Sequence, residues 1–114
     1  MDAELKIERV TQTHLLHACR EFLSADPVNN VLPLGDLYNP LFSVSEVYAA
    51  VEKRKIAGVS TIFHAFPLPS VAIGTATRQI KTALLKRALK AISTDFIALV
   101  TPDEASLFKK FATV

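Results

Sequence analysis

Residues 71–100 read VAIGTATRQIKTALLKRALKAISTDFIALV, and this run decides the fold. Residues 71–74 form a short apolar strand ending at Gly74. Ile80, Leu84, Ala88 and Ile92 recur every four residues, with Leu85 and Leu89 beside them, which predicts a helix over 77–92. Phe96-Ile97-Ala98-Leu99-Val100 is apolar on both faces and predicts a strand over 95–101. Strand, helix and strand at this spacing make a right-handed crossover between parallel neighbours.

Upstream, alternation over 5–10 predicts a first strand. Thr11 or Thr13 can then cap a helix to about Ser24, whose apolar stripe holds Leu15, Leu16, Cys19, Phe22 and Leu23. Asp26-Pro27 predicts the start of a second, short helix with Asp26 as its N-cap. Val28, Val31, Leu32, Leu34 and Leu37 give that helix an apolar face, while Pro33 and Gly35 weaken it. Val47, Ala49 and Val51 alternate with Glu46, Tyr48 and Glu52, which predicts an outer strand with the second set facing outward. Lys53-Arg54-Lys55 turns it into a third strand over 56–66, apolar on both faces and therefore central. Pro102-Asp103 begins a last helix with Leu107, Phe108 and Phe111 on one face.

The composition bounds these readings. The chain has 114 residues, which suits a single domain over 1–114. Half the residues are hydrophobic and 21% are charged, so the chain is globular. A mean hydropathy of +0.29 points to a sheet covered on both faces or to a surface that meets another domain. A net charge of +2 is too balanced for a nucleic-acid binder. The single cysteine, Cys19, excludes an intrachain disulfide and a multi-cysteine zinc site, and fits a reducing compartment. Residues 56–77 carry no Asp, Glu, Lys or Arg, but Pro67 and Pro69 interrupt them, so two strands explain the run better than a membrane span. The expectation is a cytoplasmic protein, with no membrane and no nucleic acid among its partners.

The order β-α-α-β-β-β-α-β-α resembles the GNAT superfamily of acyl-CoA N-acyltransferases over almost the whole chain. The run Phe22-Leu23, Asp26-Pro27-Val28-Asn29-Asn30 and Leu34-Gly35-Asp36-Leu37 is similar to the first two helices of GNAT proteins built from tandem GNAT-like halves. Val47-Tyr48-Ala49-Ala50-Val51-Glu52 with Lys55-Ile56-Ala57-Gly58-Val59 is similar to the family's hairpin. The resemblance implies an α/β (α+β) fold with a GNAT-like mixed sheet, here without the last two strands. It also implies a phosphate-binding turn, Gln/Arg-x-x-Gly-x-Gly/Ala, at the start of the central helix. Gly74 and Ala76 match part of that motif, but Val71 stands where Gln or Arg is expected. The candidate cofactor-binding residues are thus Gly74, Thr75, Ala76, Thr77 and Arg78, and the implied cofactor is acetyl-CoA, bound weakly or not at all by this segment.

Each chemical candidate has a plainer competitor. Capping rules favour an ordinary turn at 74–78, with Thr75 or Thr77 as N-cap, over a phosphate cradle. Arg78, Lys81, Lys86, Arg87 and Lys90 read as a solvated face, with no aromatic interleaved for nucleic-acid stacking. His14 and His17 lack a third ligand at metal spacing. His64 reads as a mid-strand core or interface histidine, and Cys19 as a small buried hydrophobe. Ser43, Ser60 and Ser70 lack a nucleophile elbow. Tyr38 and Tyr48 lie outside the last helix, where the resemblance implies a tyrosine acid, and no catalytic residue is assigned.

These readings lead to a GNAT-like module of an acetyl-CoA-dependent N-acetyltransferase, itself non-catalytic, partnered by a C-terminal catalytic half or by a second copy. Two alternatives stand beside it. One is an active N-acetyltransferase completed by dimerisation. The other is a small protein-interaction domain without CoA chemistry.

Overall fold

The structure, a computed structural model, describes residues 5–100 and 102–111. Five strands form one mixed sheet in the order β1-β2-β3-β4-β5. They are β1 (Leu5–Arg9), β2 (Ser45–Glu52), β3 (Lys55–Phe63), β4 (Ser70–Ile73) and β5 (Ile97–Leu99). The first four are antiparallel to their neighbours, and β5 is parallel to β4. Helices α1 (Thr13–Ser24) and α2 (Val31–Gly35) follow β1, and a 3₁₀ turn, Leu41–Val44, leads into β2. The crossover helix α3 (Arg78–Ala91) joins β4 to β5, and α4 (Pro102–Phe111) comes last. The predicted element order is the observed one.

The sheet is sandwiched because successive strand residues face opposite ways. Val47, Ala49 and Val59 pack on Leu16, Cys19 and Leu23 of α1. Tyr48, Ala50, Ile62 and Val71 pack on Leu84 and Leu85 of α3, with Leu107 and Phe108 of α4 closing the same cluster. Gly58 sets how close α3 comes. A Cβ there would lie 2.5 Å from Ile80 Cγ2 and 3.0 Å from Leu84 Cδ1. The β2–β3 turn is tight, with Lys53 and Arg54 at φ 53° and 64°, the left-handed pair that a two-residue hairpin demands.

Several expectations are corrected. Gln12 is the N-cap residue of α1 and makes no side-chain capping bond, so neither Thr11 nor Thr13 caps it. Asp26-Pro27 opens a turn, not a helix: Asp26 Oδ2 accepts from Asn29 Nδ2 at 2.9 Å, and α2 begins only at Val31. Pro33 fits there because the first-turn N–H groups have no helical partner in any case, and it is buried. Val28, Val31 and Leu32 do not face the core; they are 82%, 64% and 52% exposed.

β2 is an inner strand, because β1 returns alongside it. Tyr48 is therefore buried, with the Arg87 guanidinium 4.6 Å from its ring centroid. β3 stops at Phe63, opposite the start of β2 at Ser45, and Phe66 lies exposed beyond it. His64 also lies past the strand end, half-exposed, with Nε2 2.8 Å from Glu46 Oε2. β5 spans three residues rather than 95–101, because it pairs only with Ser70, Val71 and Ala72 of the short β4. Phe96 instead packs against Phe108, with ring centroids 6.4 Å apart. Thr101 and the side chain of Phe111 lie outside the described residues.

Candidate functional site

The site is built where β4 and β5 part. Their pairing runs from Ser70↔Ile97 to Ala72↔Leu99, and no pair follows. Beyond it opens a cavity of about 400 Å³. Ile73, Leu99 and Val100 form its floor, Leu32 and Pro33 of α2 one wall, and Glu104 of α4 another. A ligand cleft at the carboxyl ends of parallel strands is what this kind of topology favours.

The chain leaves β4 through 74–78. Thr77 caps α3, its Oγ1 accepting from Ile80 N–H at 3.3 Å. The capping expectation thus holds for Thr77. Thr75 does something else. Its N–H donates to Asn30 Oδ1 at 2.8 Å, and its hydroxyl accepts from Asn30 Nδ2 at 3.1 Å. Asn30 Nδ2 also donates to Leu23 O at 3.2 Å, and the side chain is fully buried. One carboxamide therefore ties the end of α1, the start of α2 and the β4–α3 turn together. Gly74 N–H donates to Val59 O at 2.8 Å. The space that a Cβ on Gly74 would take is filled, with Leu23 Cδ2 at 2.5 Å and Asn30 Oδ1 at 3.2 Å.

A second, smaller cavity of about 170 Å³ lies between the start of α3 and α4, lined by Ala76, Arg78, Lys81, Glu104 and Leu107. Lys81 Nζ and Glu104 Oε2 are 2.8 Å apart, and their side chains are only 16% and 4% exposed. Of the candidate residues, the structure thus brings Ala76 and Arg78 to this groove. Gly74 is buried, Thr75 is exposed but has its N–H and hydroxyl bonded to Asn30, and Thr77 serves as the cap.

A separate polar cluster lies at the other end of the sheet. Glu46 accepts from Tyr48 Oη at 3.1 Å, meets His64 at 2.8 Å, and has Arg9 Nη1 at 3.6 Å. Burial pushes its carboxyl up, but the bonds from His64 and Tyr48 and the Arg9 charge outweigh this and hold it below the usual range. On the α2 side, Asp36 accepts from Thr61 Oγ1 at 2.7 Å, yet burial keeps its carboxyl above the usual range. His14 and His17 gather no ligand set: His17 pairs with the exposed Glu21 at 3.2 Å. Among the described residues, no three His, Cys, Asp or Glu side chains come together to hold a metal.

No protein-family model matches the sequence, and no curated protein matches it. One solved structure does resemble the fold: an aminoglycoside N-acetyltransferase, AAC(6')-Iy, in complex with CoA. It superposes with a TM-score of 0.58 at 15% identity, over 96% of this chain and 86% of that one. The fold is GNAT-like. The identity is low enough that the likeness speaks for the fold, and the residues must speak for the chemistry. As arranged, they do not fit CoA. Two N–H groups of the GNAT-like turn are already bonded inside the protein, and the Gly74 space is filled. Arg78 and the start of α3 remain at the groove, and Glu104, paired with Lys81, lines both the groove and the cleft.

Sequence reasoning missed Asn30, Lys81–Glu104 and the Glu46 cluster. Asn30 stands in an irregular turn, where no periodicity singles it out. Glu104 had a faint signal, an acid in the first turn of a helix, which dipole complementarity alone explains.

Proposed function

We propose that the chain is a GNAT-like module of an acetyl-CoA-dependent N-acetyltransferase, and that this segment is itself non-catalytic. The observation that carries the reading is the cleft between β4 and β5. It lies where a GNAT-like fold offers its ligand site, yet apolar side chains dominate its walls and its one carboxylate, Glu104, is held by Lys81. A base for an amine acceptor must be free to take a proton, and an ion-paired, buried carboxylate is not. The module binds acetyl-CoA weakly and works beside a C-terminal catalytic half or a second copy in the cytoplasm, a reducing compartment that suits the lone buried thiol of Cys19. Among the described residues, no helix is long and apolar enough to cross a membrane.

Titration calorimetry with acetyl-CoA tests this. Binding weaker than about 1 mM is the expected result, beyond the range of about 1 μM to 1 mM in which the KM values of working enzymes fall. Low-micromolar binding lost on Arg78→Ala overturns it.

The second reading, an active enzyme completed by dimerisation, rests on the sheet edge. β5 is one of the two edge strands among the described residues, and Ile97, Leu99 and Val100 are exposed on or beside it. Apolar edges recruit partners because their backbone groups stay unpaired. Light scattering of the chain separates the two readings: a dimer that turns over acetyl-CoA favours this one.

A further inference from the structure

Apart from Asn29 and Glu104, every residue that lines the cleft between β4 and β5 is apolar. Three of them keep much of their surface in water: Leu32 is 52% exposed, and Leu99 and Val100 are each 37% exposed. Neither polar side chain offers a free charge. The Glu104 carboxylate is buried and sits 2.8 Å from Lys81 Nζ. Asn29 is neutral, and its Nδ2 already donates to Asp26 Oδ2. Arg78 and Lys81 line the neighbouring groove and not this cleft. The turn after β4 is closed to anions as well, because Thr75 N–H is bonded to Asn30 and the Gly74 space is filled. The misfit with CoA therefore has a direction. A phosphate finds no cationic side chain in the cleft, and a charge taken out of water without a partner is costly. Apolar surface taken out of water is favourable.

We propose that the cleft between β4 and β5 is a binding site for a small, uncharged, mainly apolar molecule, and that it excludes phosphate-bearing ligands. This rests on the reading of the chain as a GNAT-like module that does not itself handle acetyl-CoA. The size agrees. An apolar cavity of about 150 Å³ is enough to hold benzene, and this cleft measures about 400 Å³. The walls set the class of ligand. Glu104 repels a carboxylate, and its pairing with Lys81 leaves it no charge to spare for an ammonium head. An uncharged molecule incurs neither cost. Asn29 Oδ1 carries no bond among the described residues, so an uncharged hydroxyl has an acceptor at the rim while its apolar body covers Leu32, Leu99 and Val100.

The test titrates the full chain with hexan-1-ol, hexanoate and hexylammonium, which share one apolar body and differ in charge, and follows backbone amide shifts. Hexan-1-ol is expected to bind with a dissociation constant of about 1 mM, as suits a ligand of this size. Its shifts should centre on Ile73, Ala98 and Leu99, and both charged probes should bind at least about tenfold more weakly. Leu32→Asp places a charge at the mouth of the cleft on an exposed position that the core does not need. It is expected to abolish these shifts. Val44→Asp, also exposed but beside the start of β2 at the other end of the sheet, should leave them unchanged. A charged probe that binds as well as the alcohol overturns the proposal, and so does alcohol binding that survives Leu32→Asp. Acetyl-CoA is titrated alongside. If neither it nor hexan-1-ol binds, the uncharged site is wrong and the non-catalytic reading stands. If acetyl-CoA binds in the low-micromolar range and displaces the alcohol, that reading fails and the proposal fails with it.

Discussion

The two halves of the sheet are finished to different degrees. Around β2 and β3 both faces are covered, and Tyr48, Val59 and Ile62 are sealed between α1 and α3. β4 is buried throughout, but around β5 only the α3–α4 face is closed. On the other face the short α2 leaves Val31 and Leu32 in solvent, and Ile97 and Leu99 of β5 are 42% and 37% exposed. The difference teaches that the fold draws its stability from the strands buried on both faces, and that β5 adds little to it. A strand three residues long cannot stabilise much by itself. It is held by the crossover helix behind it.

The sharpest way to break this comparison is in the crossover helix. Leu84 is fully buried at its centre. Leu84→Ala is expected to cost about 2–5 kcal/mol, as for other core leucine truncations, in a denaturant titration. A loss below about 1 kcal/mol would place the stabilising core elsewhere.

Asn30 tests the seam between the halves. Asn30→Ala removes three hydrogen bonds from a buried carboxamide, and is expected to cost about 1–3 kcal/mol. Hydrogen exchange should quicken at Thr75 and Ala76 while the β2–β3 hairpin stays protected. Uniform loss of protection would mean that Asn30 holds the whole core and not the seam.

Asp36 gives a test in pH. Its carboxyl is raised by burial, with the Thr61 bond opposing. A carboxyl whose folded value is raised favours the folded state while protonated, below the ordinary value near 3.8, and works against it as pH rises through the folded value. Asp36→Asn keeps an acceptor for Thr61 and removes the charge. It is expected to stabilise the chain at neutral pH and to do nothing once the acid is protonated. A variant less stable than the wild type at neutral pH would show that the carboxylate is needed there. Glu46 has the opposite sign: its depressed value contributes stability that is lost as pH falls below the ordinary carboxylate range.

The smallest effect belongs to the open face. Val31→Ser is expected to change stability by about 0.5 kcal/mol or less, as an exposed substitution. A larger loss measured in the isolated chain would reveal that something covers this face in solution.

Elements with a long apolar repeat were legible in the sequence. The α3 stripe of Ile80, Leu84 and Ala88 and the α1 stripe through Cys19 and Leu23 fall where their periodicity puts them. The thiol of Cys19 is so enclosed that burial pushes it up to about 12. The α1–α2 corner was not legible. Asp26-Pro27 carries the local signature of a helix start, but Asp26 spends its carboxylate on Asn29. The chain gives up one helical turn so that Asn30 can reach Thr75, 45 residues away in sequence. Local propensity has no means of recording a bond of that span. The outer position assigned to β2 failed for a related reason. Whether a strand is inner or outer depends on where β1 returns, and Tyr48 with Glu46 reads as polar alternation until Arg87 is known to lie over the ring. The candidate site was legible as a place and not as an arrangement. Residues 74–78 do stand at the start of α3, but which of their donors point outward is decided by Asn30.

Gly58 carries a last consequence. The missing side chain is what lets Ile80 and Leu84 sit down on β3. Positions 58 and 80 therefore cannot vary independently. An alanine at 58 demands a methyl group less at 80, or else the whole crossover helix rides up, and the groove at Arg78 and the docking of α4 rise with it. The shape of that groove is thus set by a residue that does not line it.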